Sequence, residues 1–292
     1  MKQVESRIRR KYLAYSIATV AGLLLLATMY SEPVLRISYM PEETPSVLKR
    51  KLKPLTEYLE SRVGMKIEFR PALSGDALVV SLLDKNMDMV WMDGYRFVQA
   101  KARSNDHVIP IVQREQDAAT QSVFISRDKD ITRLEDLRNR AFAFGPKTSA
   151  SGYLLPRTYL LAAHINPDTD MERVDFSASD EATVDAVNAD AVSAGVLNRY
   201  SWERLIDLGK VDPKEVRVFF TTSAYHDYNW AVRTDMDENL RNKLSDAFLA
   251  LDQHNAKDKV ILDLQRASRY IPAKVEDYAA IEAAVQQSGL VP

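Results

Sequence analysis

From Val34 onward, short apolar runs alternate with stretches of helical apolar spacing, and that alternation limits the fold more than any other feature of the chain. Val34–Tyr39 reads as a strand. Pro45–Val63 carries Val47, Leu48, Leu52, Leu55 and Leu59 at helical spacing and stops at Gly64. Strands at residues 66–70, 87–92 and 107–113 alternate with helices at 76–84 and 95–103. This repeated β-α-β pattern predicts a parallel sheet with crossover helices. A second unit has strands at Ser122–Ser126, residues 140–144, Arg173–Phe176, 191–196 and 216–221, with helices at 131–137, 152–163, Asp180–Asn188 and 202–208. The chain then returns to a strand at Asn229–Arg233 and ends in helices at 238–255, 258–266 and 275–288. Two crossings, near residues 113–122 and 222–231, imply one lobe of residues 34–115 plus 230–292 and another of residues 120–222. A cleft between them would lie at the C-terminal ends of the strands, where open α/β sheets bind ligands.

One strand end stands out. Phe142-Ala-Phe-Gly-Pro-Lys-Thr-Ser-Ala-Ser-Gly-Tyr-Leu-Leu-Pro156 reads as a strand, a hydroxyl-rich loop and a helix start. A helix N-terminus has unpaired N–H groups and partial positive charge. With Thr148, Ser149, Ser151 and the Gly152 end of the helix, it makes a seat for a small oxyanion that needs neither metal nor catalytic residue. The simpler reading of the same hydroxyls is helix capping. Met92-Asp-Gly-Tyr95 occupies the matching strand end of the first unit, which brings in Asp93 and Tyr95, and Tyr39 ends the first strand.

The N-terminus addresses the compartment. Lys2, Arg7, Arg9, Arg10 and Lys11 precede a charge-free stretch from Tyr12 to Ser31, long enough to cross a bilayer once. The basic flank predicts an N-terminus in the cytoplasm and a domain outside the inner membrane. Residues 1–31 are read as an anchor rather than a cleaved signal, because no small-x-small site follows the apolar core. Ala14, Ala18 and Gly22 share one face of that helix, where another membrane helix could pack; small residues are also common in membrane helices generally.

Other chemistry is thinly represented. The net charge of −2 argues against a nucleic-acid partner. There is no cysteine, and the four histidines lack metal-ligand spacing. His226 falls in the return crossing and reads as a surface or hinge histidine. No nucleophile-elbow, phosphate-loop or dinucleotide pattern occurs. The expectation is a protein that is not an enzyme and uses no metal or cofactor.

Ser38-Tyr-Met-Pro41, Met87-Asp-Met-Val-Trp91, Ser122-Val-Phe-Ile125, Ile131-Thr-Arg-Leu-Glu-Asp-Leu137, the loop through Pro156, and residues 209–218 follow one another in an order that resembles the phosphonate/phosphate/phosphite-type substrate-binding proteins of ABC transporters. The resemblance implies a two-lobed α/β fold, the type II periplasmic-binding-protein fold, here behind an N-terminal transmembrane helix. It also marks departures. The family's Ser-Thr-Ser triplet is Ser149-Ala150-Ser151, and Asp180 stands where a histidine is usual. Ser193 replaces an aspartate, Trp91-Met-Asp-Gly94 replaces Trp-Phe-Gly-Pro, and Thr120 replaces a tyrosine. Asp93, Asp180 and Glu181 would make the cleft more acidic, which leaves two readings: a ligand that is now neutral or cationic, with the carboxylates as acceptors, or ligand binding weakened or lost, with the fold serving as a docking body.

The expected function is therefore a membrane-anchored extracytoplasmic solute-binding protein, serving an ABC permease. Thr148, Ser149, Ser151 and Gly152 would contact a small polar ligand, with Tyr39, Asp93 and Tyr95 closing from the first lobe and Asp180 from the second. The alternative is an altered binding-protein fold acting as an accessory or sensory subunit of a membrane complex, docked through its transmembrane helix.

Overall fold

The computed structural model describes residues 33–41 and 43–290. The expected anchor, with Ala14, Ala18 and Gly22, lies outside them. Among the described residues no helix is long and apolar enough to cross a membrane.

Along the chain, the first lobe opens with β1 (Val34–Tyr39), α1 (Pro45–Val63), β2 (Lys66–Phe69), α2 (Gly75–Leu83), β3 (Met89–Met92), α3 (Gly94–Arg103) and β4 (Val108–Arg114). Pro45 starts α1, whose buried stripe is Leu48, Leu52, Leu55, Leu59 and Val63, and Gly64 ends it at φ 69°. The second lobe holds β5 (Ser122–Ser126), β6 (Ala141–Phe144), a π-helical turn at Ala150–Leu154 running into α4 (Leu155–Ala162), α5 (Pro167–Asp170), β7 (Arg173–Phe176), α6 (Asp180–Asn188), β8 (Ala194–Asn198), α7 (Arg199–Asp207) and β9 (Arg217–Thr221). The chain returns through β10 (Asn229–Arg233), α8 (Glu238–Leu249), α9 (Ala256–Leu264), β11 (Tyr270–Pro272) and α10 (Ala279–Ser288).

The sheets run β11-β4-β10-β3-β1-β2 and β7-β6-β8-β5-β9. They are mixed, which corrects the expectation of parallel sheets. β1 pairs in parallel with β2 and β3, and β6 with β7 and β8. β10 is antiparallel to both β3 and β4, and β5 to both β8 and β9. The reason is the crossings. β5 and β10 each enter a lobe from the hinge, at the end where the neighbouring strands leave it, so each must run the other way.

Each sheet is covered on both faces. In the first lobe Leu48, Leu52, Trp230 and Phe248 fill one side, and Leu78, Phe97 and Ile281 fill the other. In the second lobe Val184, Val187, Trp202 and Leu205 oppose Phe124, Phe142, Phe144 and Leu160. Where the crossings meet, Thr120 and Tyr225 exchange both backbone hydrogen bonds, at 3.1 and 2.9 Å.

Candidate ligand-binding cleft

A cavity of about 1040 Å³ separates the two sheets. The second-lobe wall is built from strand-to-helix turns. Thr148, Ser149 and Ser151 line it at the end of β6, Asp180 at the start of α6, and Asn198 at the end of β8.

The hydroxyl loop is a cap and a wall at once. Ser149 Oγ accepts the Gly152 N–H at 2.9 Å, so it caps the π-helical turn. Its own proton can go to Ser151 Oγ or to a further acceptor. The Tyr153 and Leu154 N–H groups both reach the Ser149 carbonyl, at 3.1 and 3.0 Å. The Ala150 and Ser151 N–H groups precede these first bonds of the turn, at the electropositive end. Ser151 Oγ lies 3.5 Å from Ser149 Oγ and also meets the buried Tyr225 phenol. Burial pushes that phenol well above its ordinary value, so it stays protonated. The Ala150 side chain belongs to an apolar cluster with Leu154, Leu155 and Ile281.

Two expected contacts are placed elsewhere. Gly152 does not line the cavity: its N–H is bonded to Ser149, and its carbonyl accepts the Gly145 N–H at 2.9 Å. Its requirement is steric, since a Cβ there would lie 3.0 Å from Gly145 Cα. Tyr95 is buried in the first-lobe core beneath the Arg96 guanidinium, because one step along α3 from the cleft edge turns the side chain inward. Ser193 is likewise off the cleft. It precedes β8 at the far end of the sheet, where its N–H meets Ala141 and its carbonyl accepts from Ser126.

The first-lobe wall is aromatic and acidic. Tyr39 stacks on Trp91 with ring centroids 5.9 Å apart, and Trp91 stacks on Tyr228 at 5.6 Å. The Arg114 guanidinium lies 5.1 Å from the Trp91 ring and 5.5 Å from Tyr228. It binds both Asp117 oxygens, at 2.6 and 2.7 Å, and the Gln265 carbonyl at 2.7 Å. Burial opposes its charge, but Asp117 outweighs burial and holds Arg114 above its usual value. Asp93 lines the cleft and caps α3 by accepting the Arg96 N–H at 2.8 Å.

Asp227, in the return crossing, is one of the cleft residues that the sequence did not single out as a contact. It is buried, lines the cavity and accepts the Gly94 N–H at 3.0 Å. Burial, and then the neighbouring Asp93, push its carboxyl up to about 7. Asp180 is also pushed up by burial, against hydrogen bonds from the Ser201 hydroxyl and the Asn198 backbone. Glu181 is paired with Lys210, which holds its carboxyl below the usual range. The acidity expected of the cleft is thus partly neutralised in place. His226 does sit at the hinge, bonded to Gln113. Among the described residues, no group of three or more His, Cys, Asp or Glu side chains is arranged to hold a metal ion.

Known proteins share this architecture. A family model described as "ABC transporter, phosphonate, periplasmic substrate-binding protein" matches residues 37–278. The probable ABC transporter phosphite binding protein PhnD1 of Prochlorococcus marinus (strain MIT 9301) is 29% identical over 276 residues, covering 88% of this chain and 93% of that protein. The structure of PhnD1 from the same organism in complex with methylphosphonate superposes with a TM-score of 0.74 at 28% identity, over 88% of this chain and 98% of that one. The phosphonates-binding periplasmic protein of Escherichia coli (strain K12) is 23% identical over 240 residues, 80% of this chain and 70% of that protein. The chain has the two-lobed α/β fold of these proteins and belongs to the family of periplasmic substrate-binding proteins of phosphonate ABC transporters.

Proposed function

We propose that this chain captures a small phosphonate- or phosphite-like oxyanion between its lobes and presents it to an ABC permease, while residues 12–31 hold it to the inner membrane. The observation that carries this reading is the convergence of Ser149, Ser151 and the start of the π-helical turn on the cleft wall, opposite Tyr39, Trp91 and Asp93. The hydroxyls and the N–H groups of Ala150 and Ser151 would grip the oxygens of the head. The aromatic wall would take the substituent.

Acidity is the obvious objection, and the charges answer much of it. Asp117 is bound by Arg114, Glu181 by Lys210 and Glu203 by Arg199. Asp227, at about 7, carries a proton for much of the time near neutrality. A protonated carboxyl donates a hydrogen bond to an oxyanion instead of repelling it. A carboxylate also accepts from a ligand P–OH, which fully ionised sulfate lacks.

The purified full-length chain in mild detergent tests this by thermal shift, since a ligand that binds only the folded state raises the melting temperature by mass action. Methylphosphonate or phosphite should stabilise it, and sulfate should do so less. No shift with phosphonates, phosphite, phosphate, sulfate, amines or polyols would remove the ligand-capture reading and favour the accessory-subunit one. Extraction of native membranes with alkaline carbonate tests the anchor: the chain should stay in the pellet.

A further inference from the structure

The C-terminal helix α10 stands behind both walls of the cleft. Its buried stripe is Ile281, Ala284 and Val285. On the first-lobe side Ile281 presses on Gly94, so closely that a Cβ there would lie 2.3 Å from Ile281 Cδ1. Gly94 follows Asp93 and donates its N–H to Asp227. On the second-lobe side α10 packs against the π-helical turn and α4. Ala150, Leu154 and Leu155 share a single buried cluster with the α10 stripe. The same turn presents Ser149 and Ser151 to the cleft.

The two attachments of α10 differ in kind. It is tied to α3 in the first lobe by the Lys101–Glu282 ion pair at 3.1 Å, and the preceding Tyr278 ring meets Phe97 at 4.6 Å. Toward the second lobe, it packs through the apolar cluster that holds Ala150, Leu154 and Leu155. A hydrogen bond fixes an angle, whereas apolar contact is non-directional and lets packed helices slide.

We propose that α10 sets the angle between the lobes, with Ile281, Ala284 and Val285 as positioning residues that tune ligand capture without touching the ligand. This rests on the reading of the cleft as a ligand site. The cavity of about 1040 Å³ is far larger than a small oxyanion, and α10 touches the second lobe while the cleft has this width. Closing slides α4 and its turn along the stripe. Thinning the stripe removes part of what holds the cleft open and shifts the population toward closure.

The full-length chain in detergent allows a direct test, because it has no cysteine of its own. Lys53→Cys on α1 and Lys214→Cys before β9 place one spin label on each lobe. Double electron–electron resonance then reads the distance between the lobes with no ligand present. Val285→Ala should move the ligand-free distribution toward the methylphosphonate-bound distance and tighten methylphosphonate binding about three- to tenfold. Gln286→Ala, an exposed change on the same helix that leaves the stripe intact, should leave both near the parent values. A distribution that is unchanged or moves toward greater separation in Val285→Ala overturns the proposal. If that variant does not fold, Leu155→Val on α4 makes the same comparison from the second-lobe side of the cluster with a smaller deletion. A parent chain that binds no methylphosphonate defeats the ligand-site reading, while the ligand-free distances still decide the role of α10.

Discussion

Burial and the Asp93 carboxylate raise the Asp227 carboxyl from an ordinary 3.8 to about 7, which puts its charge change within the range where cells and their surroundings operate. The sign follows for both binding and stability. Ionised Asp227 repels an oxyanion, so affinity should fall as pH rises through about 7. Asp227→Asn should flatten that dependence in titration calorimetry; comparing the two profiles cancels the ligand's own ionisation. In the fold, the raised value means that the native state holds the proton more tightly than the unfolded chain. Stability should therefore decline from about pH 4 to about 7 and then level off. Asp227→Asn, which can still accept the Gly94 N–H, should unfold at higher urea than the parent at pH 8, with the gap closing toward pH 4. Ser149 and Ser151 make a second prediction. Hydrogen bonds to a charged group are worth about 1.5–3 kcal/mol, so each Ser→Ala change should weaken methylphosphonate binding roughly 10- to 100-fold. These serines, with Thr148, Tyr39, Asp93 and Asp180, fall on the cleft wall because strand ends and helix starts can be read from local pattern. Arg114, Asp227 and Tyr228 could not be read that way. They reach the cleft through the pairing of two crossings far apart in sequence, and no local periodicity encodes that pairing.

At the scale of elements, the π-helical turn decides how the hydroxyl loop meets the rest of the lobe. Gly145 at the end of β6 and Gly152 within the turn approach so closely that a Cβ on Gly152 would lie 3.0 Å from Gly145 Cα and 3.1 Å from Ser149 Oγ. The first of these neighbours is backbone and cannot swing aside. Gly152→Ala should therefore cost about 1–3 kcal/mol, seen as a lower urea midpoint at unchanged slope. It should also weaken methylphosphonate binding by displacing Ser149. The sequence placed a helix start at residue 152, and the wider turn begins two residues earlier because Ser149, not Gly152, accepts the first backbone bonds. Elsewhere, strong periodicity served well. The buried stripe and Gly64 stop of α1 were both visible, as were β1, β5, β7 and β10. The helix expected at 131–137 shrinks to a single 3₁₀ turn at Leu134–Leu137, held by Asp136 bonds to the Thr132 and Arg133 N–H groups. The short β11 went unread, since its three residues carry no alternation and are specified by pairing with β4.

For the molecule as a whole, the two walls act together only if the lobes move. Tyr39, Trp91 and Asp93 belong to one sheet and its helix caps, and Ser149 and Ser151 to the other. A cavity of about 1040 Å³ is much too roomy for a small oxyanion to bond to both walls at once. The crossings allow the motion. They share the Thr120–Tyr225 bridge and the Asp227 N–H bond to the Asp117 carbonyl, a narrow ribbon about which the lobes can turn while the apolar contact of α10 with the second lobe slides. A ligand bound by both walls favours the closed arrangement by whatever affinity it gains there. Small-angle X-ray scattering of the full-length chain in detergent should then show a smaller radius of gyration with saturating methylphosphonate than without. The double change Ser149→Ala with Ser151→Ala should abolish that contraction at the same ligand concentration, because one wall has lost its grip. A contraction that persists in the double variant would mean that the first-lobe wall drives closure by itself. Equal radii in the parent with and without a ligand that demonstrably binds would mean that capture proceeds without closure, and the cleft would then have to hold its ligand on one lobe.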